Sequence, residues 1–263
     1  MSSNDILGIT MAGLEAGFKV LHIAASPLKT CEADSDVAGV LKDSELRDFD
    51  QIPAREGAHI VGVLERTPAV SGGAVRNHMR RLDDSILVSA EEPLPKFLPT
   101  LEASPYRLMV KGPEIQGIVT LSDVPKLPVR LMAFTLVTHL EMVMADVIRR
   151  ECGSDEACLG LLHPKQQKTV QSRLKRRKKQ NLHLSLLDLT DLSHKITAVG
   201  KLRGLTGFDT ALEVVVELRN SLDHASDFVE ACGGVRAFLQ RLSVVEHWID
   251  ALSTGYQRLE VQN

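Results

Sequence analysis

Aromatic residues make up only 4% of this 263-residue chain. That scarcity argues against the stacking platforms on which sheets hold single-stranded nucleic acid. Charge of one sign is also missing. The 31 Lys and Arg nearly balance 34 Asp and Glu, for a net charge of −3, so any attraction for a polyanion must come from a local patch. The four cysteines, Cys31, Cys152, Cys158 and Cys232, show no CxxC spacing. This excludes a zinc ribbon or thioredoxin-type motif and leaves reduced thiols in a cytoplasmic protein as the simplest reading. The opening MSSNDILGITMAG has no basic segment before an apolar run, so no secretory leader is expected. The apolar run from Leu131 to Met144 is interrupted by His139 and Glu141, so no bilayer-spanning segment and no membrane partner are expected. What remains is the balance of a globular protein, 44% hydrophobic and 25% charged. The length suits one large or two modest domains.

Up to about Lys126 the chain alternates short apolar runs with Pro, Gly and charge. Val20–Ile23, Ile60–Leu64, Ile86–Val88, Arg107–Val110 and Ile115–Thr120 read as strands, with a turn at Lys111–Glu114. Asp36–Leu41 and Leu94–Leu101 read as short helices, the latter disturbed by Pro95 and Pro99. This mixture predicts an α+β or α/β domain. An imperfect repeat is visible, from Ala24-Ala25-Ser26-Pro27-Leu28 to Ile60–Leu64, and again from Ser89–Leu94 to Ile115–Val119. The first copy carries extra charged residues around Asp43 to Arg55, expected to loop over the surface. Between the copies, Ser71-Gly72-Gly73-Ala74 reads as a flexible joint, and Val75–Arg81 as a short basic linker helix.

The second copy contains Gly117-Ile118-Val119-Thr120-Leu121-Ser122-Asp123. Glycine there allows close backbone approach, Thr120 offers a hydroxyl, and Asp123 can accept hydrogen bonds from two vicinal hydroxyls. Amides of the following helical turn are also expected to face an anion. This segment resembles the Gly-h-x-Thr/Ser-x-x-Asp pattern of CBS domains. The resemblance implies a site for an adenosine-type regulatory ligand such as AMP, ATP or a methyl-donor nucleoside, with Thr120, Asp123 and more weakly Ser122 as binding residues. The first copy departs from the pattern. After Gly62-Val63-Leu64 it places Glu65 at the hydroxyl position and Pro68 at the carboxylate position, so one nucleotide site per chain is expected.

Past Pro128 the strand patterns stop. Val129–Arg150 reads as a long helix apolar over more than one face, destined for burial among neighbours or in a dimer. His139 and Glu141 read as surface residues of it. Short helical segments follow, then Lys165–Lys179, a run of eight cations with no acid. Most such runs are solvated faces, but this one is the dense positive patch of a slightly acidic chain. Arg173, Lys175, Arg176, Arg177, Lys178 and Lys179 are therefore candidates for RNA contact by counterion release. Ser193–Leu202 is expected to be helical and to end at Gly204. Val235–Leu252 reads as the last long helix.

Between these lies Thr210–Phe228, read as one amphipathic helix with capping-box spacing at Thr210 and Glu213. Asn220 and His224, four apart, share a face, and Arg219 can swing toward them. A fixed cation, an amide and an imidazole that titrates near neutrality suit attack on a phosphodiester. The arrangement resembles the Arg-Asn-x-x-x-His motif of HEPN domains, although Arg241/His247 and Arg177/His183 share the loose spacing. The resemblance implies a helical bundle and a dimeric, metal-independent ribonuclease. In it Arg219, Asn220 and His224 are catalytic and no metal is needed.

Together these readings predict two domains, a CBS pair over 1–127 and a HEPN-like bundle over 128–263. The chain would be a cytoplasmic homodimer that cleaves RNA under control of an adenine nucleotide, and the resemblance implies a setting in stress response or phage defence. The alternative is a non-catalytic nucleotide sensor whose helices bind a partner.

Overall fold

The computed structural model describes residues 12–68, 72–178, 186–205, 208–223 and 227–260. One compact unit spans Leu14–Val129, and a second takes in the helices from Arg130 onward. The architecture is α+β, with the strands in the first unit.

Two sheets make up the first unit. In one, β1 (Cys31–Glu32) runs parallel to β2 (Gln51–Glu56), β2 pairs antiparallel with β3 (His59–Glu65), and β4 (Arg80–Arg81) lies on the far edge of β3. In the other, β5 (Leu87–Ser89) runs parallel to β6 (Tyr106–Lys111), which pairs antiparallel with β7 (Glu114–Thr120). The repeat extends to the register. Gln51 faces Glu65 as Tyr106 faces Thr120, and the ladder slips at Ala54/Arg55 as it does at Met109/Val110. Helix α1 (Val37–Lys42) is capped by Asp36, whose carboxylate accepts from the Gly39 amide at 3.3 Å and the Gly73 amide at 3.0 Å. Helix α2 (Leu94–Phe97) runs straight into a 3-10 turn, Leu98–Glu102. Pro95 and Pro99 each sit in a first turn, where a missing N–H costs little.

Each sheet takes an edge from the segment leading into the other copy. Arg80 pairs with Val63, and in the equivalent place Ala25 bridges Ile118. The motif glycines permit this crossing. A Cβ on Gly62 would come within 2.6 Å of the Arg80 carbonyl oxygen, and one on Gly117 within 3.0 Å of that of Ala25. Ile52, Leu64, Val37 and Val75 fill the interior on one side, and Val63, Ile86, Tyr106 and Leu108 on the other.

Several expectations change here. Val20–His22 is a 3-10 turn rather than a strand, its first residue buried. The segment read as a surface loop contains β2, with Ile52, Pro53 and Ala54 buried. Its charged ends, Arg55 and Glu56, masked the strand pattern. The basic linker helix is a 3-10 turn, Val75–Asn77, followed by β4. Arg76 there is paired with Asp34 and Glu56, so its charge is locally balanced.

The second unit starts on α3 (Leu127–Cys152), 26 residues long. By length and composition this helix could cross a bilayer, contrary to the expectation from its two polar interruptions; yet more than half of its most apolar window is buried, as in a core helix. His139 is buried and Glu141 pairs with Lys195 at 2.8 Å, so neither is the simple surface residue expected. Leu127, Leu131, Phe134 and Met142 remain exposed. Then come α4 (Asp155–Leu161), α5 (Pro164–Lys178), α6 (Leu192–Arg203), α7 (Phe208–Asp223), α8 (Phe228–Ala231) and α9 (Val235–Glu260). Gly204 ends α6 in the left-handed region, φ 61°, and donates back to the Gly200 and Lys201 carbonyls.

The helix read as Thr210–Phe228 is α7. It begins two residues earlier because Phe208 is buried edge-on against Trp248, ring centroids 4.6 Å apart. It is assigned to Asp223, and Asp227 caps the separate α8 through its carboxylate. Arg130 of α3 fastens the end of α7, its guanidinium donating to the Leu222 carbonyl at 2.6 and 3.0 Å. Arg241 of α9 holds Glu217 at 3.0 Å.

Candidate functional site

The Thr-x-x-Asp segment folds where β7 ends. Thr120 is extended, and Leu121–Asp123 forms a 3-10 turn. Asp123 turns back on the segment, and its Oδ2 accepts from the Thr120 amide at 2.7 Å and the Thr120 hydroxyl at 3.1 Å. Its Oδ1 pairs with Lys126 Nζ at 2.7 Å, and Lys126 also donates to the Ile23 carbonyl. Asp123 is thus 93% buried yet charged, with a relative exposure of 7%. An ionised carboxylate has about four acceptor positions. Three are used here, leaving one on Oδ1. The Thr120 amide, which precedes that turn, is committed to this loop.

A cavity of about 460 Å³ opens beside these residues. Ala25 and Ile118 form an apolar part of its lining, and Thr120, Ser122 and Asp123 a polar part. Phe49 also lines it, contributed by the segment expected to loop over the surface. The sequence offered one usable signal for Phe49: it is the single aromatic in a charged stretch.

The repeat creates a second cavity at the equivalent place, about 300 Å³, lined by Glu65, Arg80, Ser85, Tyr106 and Arg107 among others. Its polar groups are spent on one another. The Tyr106 hydroxyl donates to Glu65 Oε1 at 2.7 Å, and Arg80 Nη2 donates to Ser85 Oγ at 2.7 Å and to Asp83 at 3.3 Å. Burial and the adjacent Glu65 carboxylate push the Tyr106 phenol well above its ordinary pKa, so it remains a donor at any working pH. Glu65 stands in register where the other half has Thr120. No carboxylate stands at the Pro68 position.

In the second unit, α7 buries Leu212, Val215, Leu218 and Leu222. Arg219 is half-buried beside Asp223, 3.4 Å away, and Asn220 is exposed. His224 lies outside the described residues. On α5, Lys175 and Arg176 are exposed and Arg177 is half-buried. Arg173 instead clamps Asp191 through two bonds of 2.7 and 2.9 Å and donates to the Leu189 carbonyl. Its charge is thereby largely balanced, and that carboxylate is held below its usual range. The side chain of Lys178, and Lys179, lie outside the described residues.

No family model matches this chain, and no curated protein does. Among solved structures it is similar to the CBS domain of a bacterial CNNM/CorC family Mg2+ transporter in complex with ATP, at 19% identity and a TM-score of 0.36 over 47% of this chain and 94% of that one. It is also similar to a hemolysin-like protein containing a CBS domain from Oenococcus oeni, at 14% identity and 0.34 over 44% and 93%. A third is a Methanocaldococcus jannaschii protein described as a putative archaeal homolog of g-AMPK, at 14% and 0.36 over 47% and 52%. CBS domains are thus present among the structures it resembles.

Proposed function

We propose that the first unit is a CBS-type sensor that binds an adenosine-type ligand at Thr120 and Asp123. The observation that carries this reading is the Asp123 carboxylate, buried and fixed on three sides, with one acceptor position remaining beside a cavity of about 460 Å³. A ribose hydroxyl suits such an acceptor, since a charged acceptor makes a stronger bond than a neutral one. The lining offers hydroxyls, an amide and carboxylates, groups that suit the hydroxyls and the base of a nucleoside. The partner cavity is self-satisfied, which supports a single site per chain. Thermal shift with adenosine, AMP and ATP tests the reading. Each ligand that binds raises the melting temperature of the native chain. Asp123→Ala is expected to abolish that rise relative to its own ligand-free value. An unchanged rise in the variant removes Asp123 from the site.

For the second unit the reading is a HEPN-type, metal-independent ribonuclease acting as a homodimer. It is favoured by the accessibility of Arg219 and Asn220 on a helix whose apolar face is otherwise buried, and by the exposed cations of α5 in the same unit. His224 would take the 2′-hydroxyl proton or protonate the leaving oxygen. Arg219 would stabilise charge on the phosphorane, and Asn220 would orient the imidazole or the RNA. Labelled RNA incubated in EDTA should be cut by the native dimer, and at least about a hundredfold more slowly by Arg219→Ala, the scale of losing one transition-state charge contact. Equal cleavage by the variant, or none by either protein, leaves the helical unit as a partner-binding module.

A further inference from the structure

The extra residues of the first copy do not drift over the surface. Arg66 Nε donates to the Phe49 carbonyl at 3.1 Å, Nη1 to that of Leu41 at 3.3 Å and Nη2 to that of Leu46 at 3.1 Å. The Arg66 amide donates to the Asp50 carbonyl at 2.8 Å, and the Phe49 amide to that of Leu46 at 3.1 Å. Leu46 is buried in the core beneath. Five hydrogen bonds and one core anchor therefore fix the backbone on both sides of Phe49. The residue is nevertheless left 44% exposed, in a chain with few aromatics, and it lines the cavity that holds Asp123. Asp48 and Asp50 line the same cavity, whereas Arg47 and Lys126, the cations paired with Asp48 and Asp123, do not.

We infer that residues 43–50 form a rigid recognition wall in which Phe49 stacks on a purine base and Asp48 and Asp50 disfavour a polyphosphate. The ligand class is a purine nucleoside carrying at most one phosphate. This rests on the adenosine-site reading above and adds to it both a base contact and a charge limit. A pinned aromatic held in water gains from covering by a flat π-face without any rearrangement of the chain. Two carboxylates on a wall of the cavity oppose the charges of a triphosphate at short range, where screening is weakest.

Calorimetric titration of the full chain with adenosine, AMP and ATP in EDTA tests the inference. Adenosine is expected to bind the native chain at least about tenfold more tightly than ATP. Phe49→Ala is expected to weaken adenosine about tenfold, the scale of a lost base–aromatic stack, with little change in the ligand-free melting temperature because Phe49 belongs to neither core cluster of the sheets. Phe49→Tyr restores binding. Asp48→Asn with Asp50→Asn narrows the gap between adenosine and ATP. Equal adenosine affinity in Phe49→Ala and the native chain overturns the wall and leaves the Asp123 site standing. ATP binding as tightly as adenosine overturns the charge limit. If none of the three ligands binds the native chain, both the wall and the site reading fall.

Discussion

Replacing Glu141 by alanine is expected to remove about 3 kcal/mol of folding stability, the scale of a broken buried ion pair. Its partner Lys195 on α6 is only 6% exposed. The ammonium has two polar partners, Glu141 Oε1 and the Thr190 carbonyl, each at 2.8 Å. Without Glu141 a full positive charge stays in a low-dielectric interior with one neutral acceptor, and charging that site is costly. The converse change is milder. Lys195→Met leaves Glu141 unpaired, but that side chain is 28% exposed and can hydrate. Replacing both at once, Glu141→Leu with Lys195→Met, is expected to recover most of the loss, because an apolar pair carries no desolvation cost. Urea denaturation reads all three as shifts in midpoint at constant slope. A loss below about 0.5 kcal/mol for Glu141→Ala would place the pair with ordinary exposed salt bridges and reject a structural role for it.

That pair also shows where sequence reading stops. Nothing near Glu141 announces Lys195, 54 residues away; only packing of α3 against α6 brings them together. Periodicity served well where one face decides the outcome. It found α3, α7, α9 and the strands β3, β6 and β7, because each carries a long enough apolar repeat to outweigh local noise. It failed at β2, where charged flanks concealed three buried residues, and at Val20–His22, where an apolar run is too short to separate strand from turn. The Gly-x-x-Thr-x-x-Asp segment was legible because glycine spacing and a capping carboxylate are local properties. The crossing of the two copies explains its glycine: Gly117 is needed because the Ala25 backbone passes beneath it. Phe49 was not legible, since its place on the cavity depends on Arg66, which binds carbonyls up to 25 residues away. Glu65 and Pro68 mark the departure of the first half in the sequence, and in the structure Tyr106 and Arg80 engage Glu65, Ser85 and Asp83 beside its cavity.

Replacing His139 by leucine is expected to stabilise the protein, and more so in mild acid. His139 sits on α3 at 1% exposure, and neither ring nitrogen has a hydrogen-bond partner among the described residues. A buried polar group without a partner costs about 1–3 kcal/mol, and leucine fills similar space with no polar atom. Burial also lowers the imidazole pKa below its ordinary value. The unfolded chain therefore takes up a proton as pH falls through about 6.5 while the folded chain does not. Native stability is lost over that window and levels off below the folded pKa. His194 adds a loss of the same sign, its pKa lowered chiefly by burial. Glu246 works in the opposite sense, because burial raises its carboxyl and favours the folded state as pH falls. The difference between native and His139→Leu stability isolates His139 from both. Denaturation midpoints at pH 7.5 and 5.5 should show the variant ahead at both values, by about 1 kcal/mol or more at the first and by a larger margin at the second. A margin independent of pH would mean that the imidazole finds a proton acceptor in the fold; a variant less stable at both values would mean that its ring is chosen for shape.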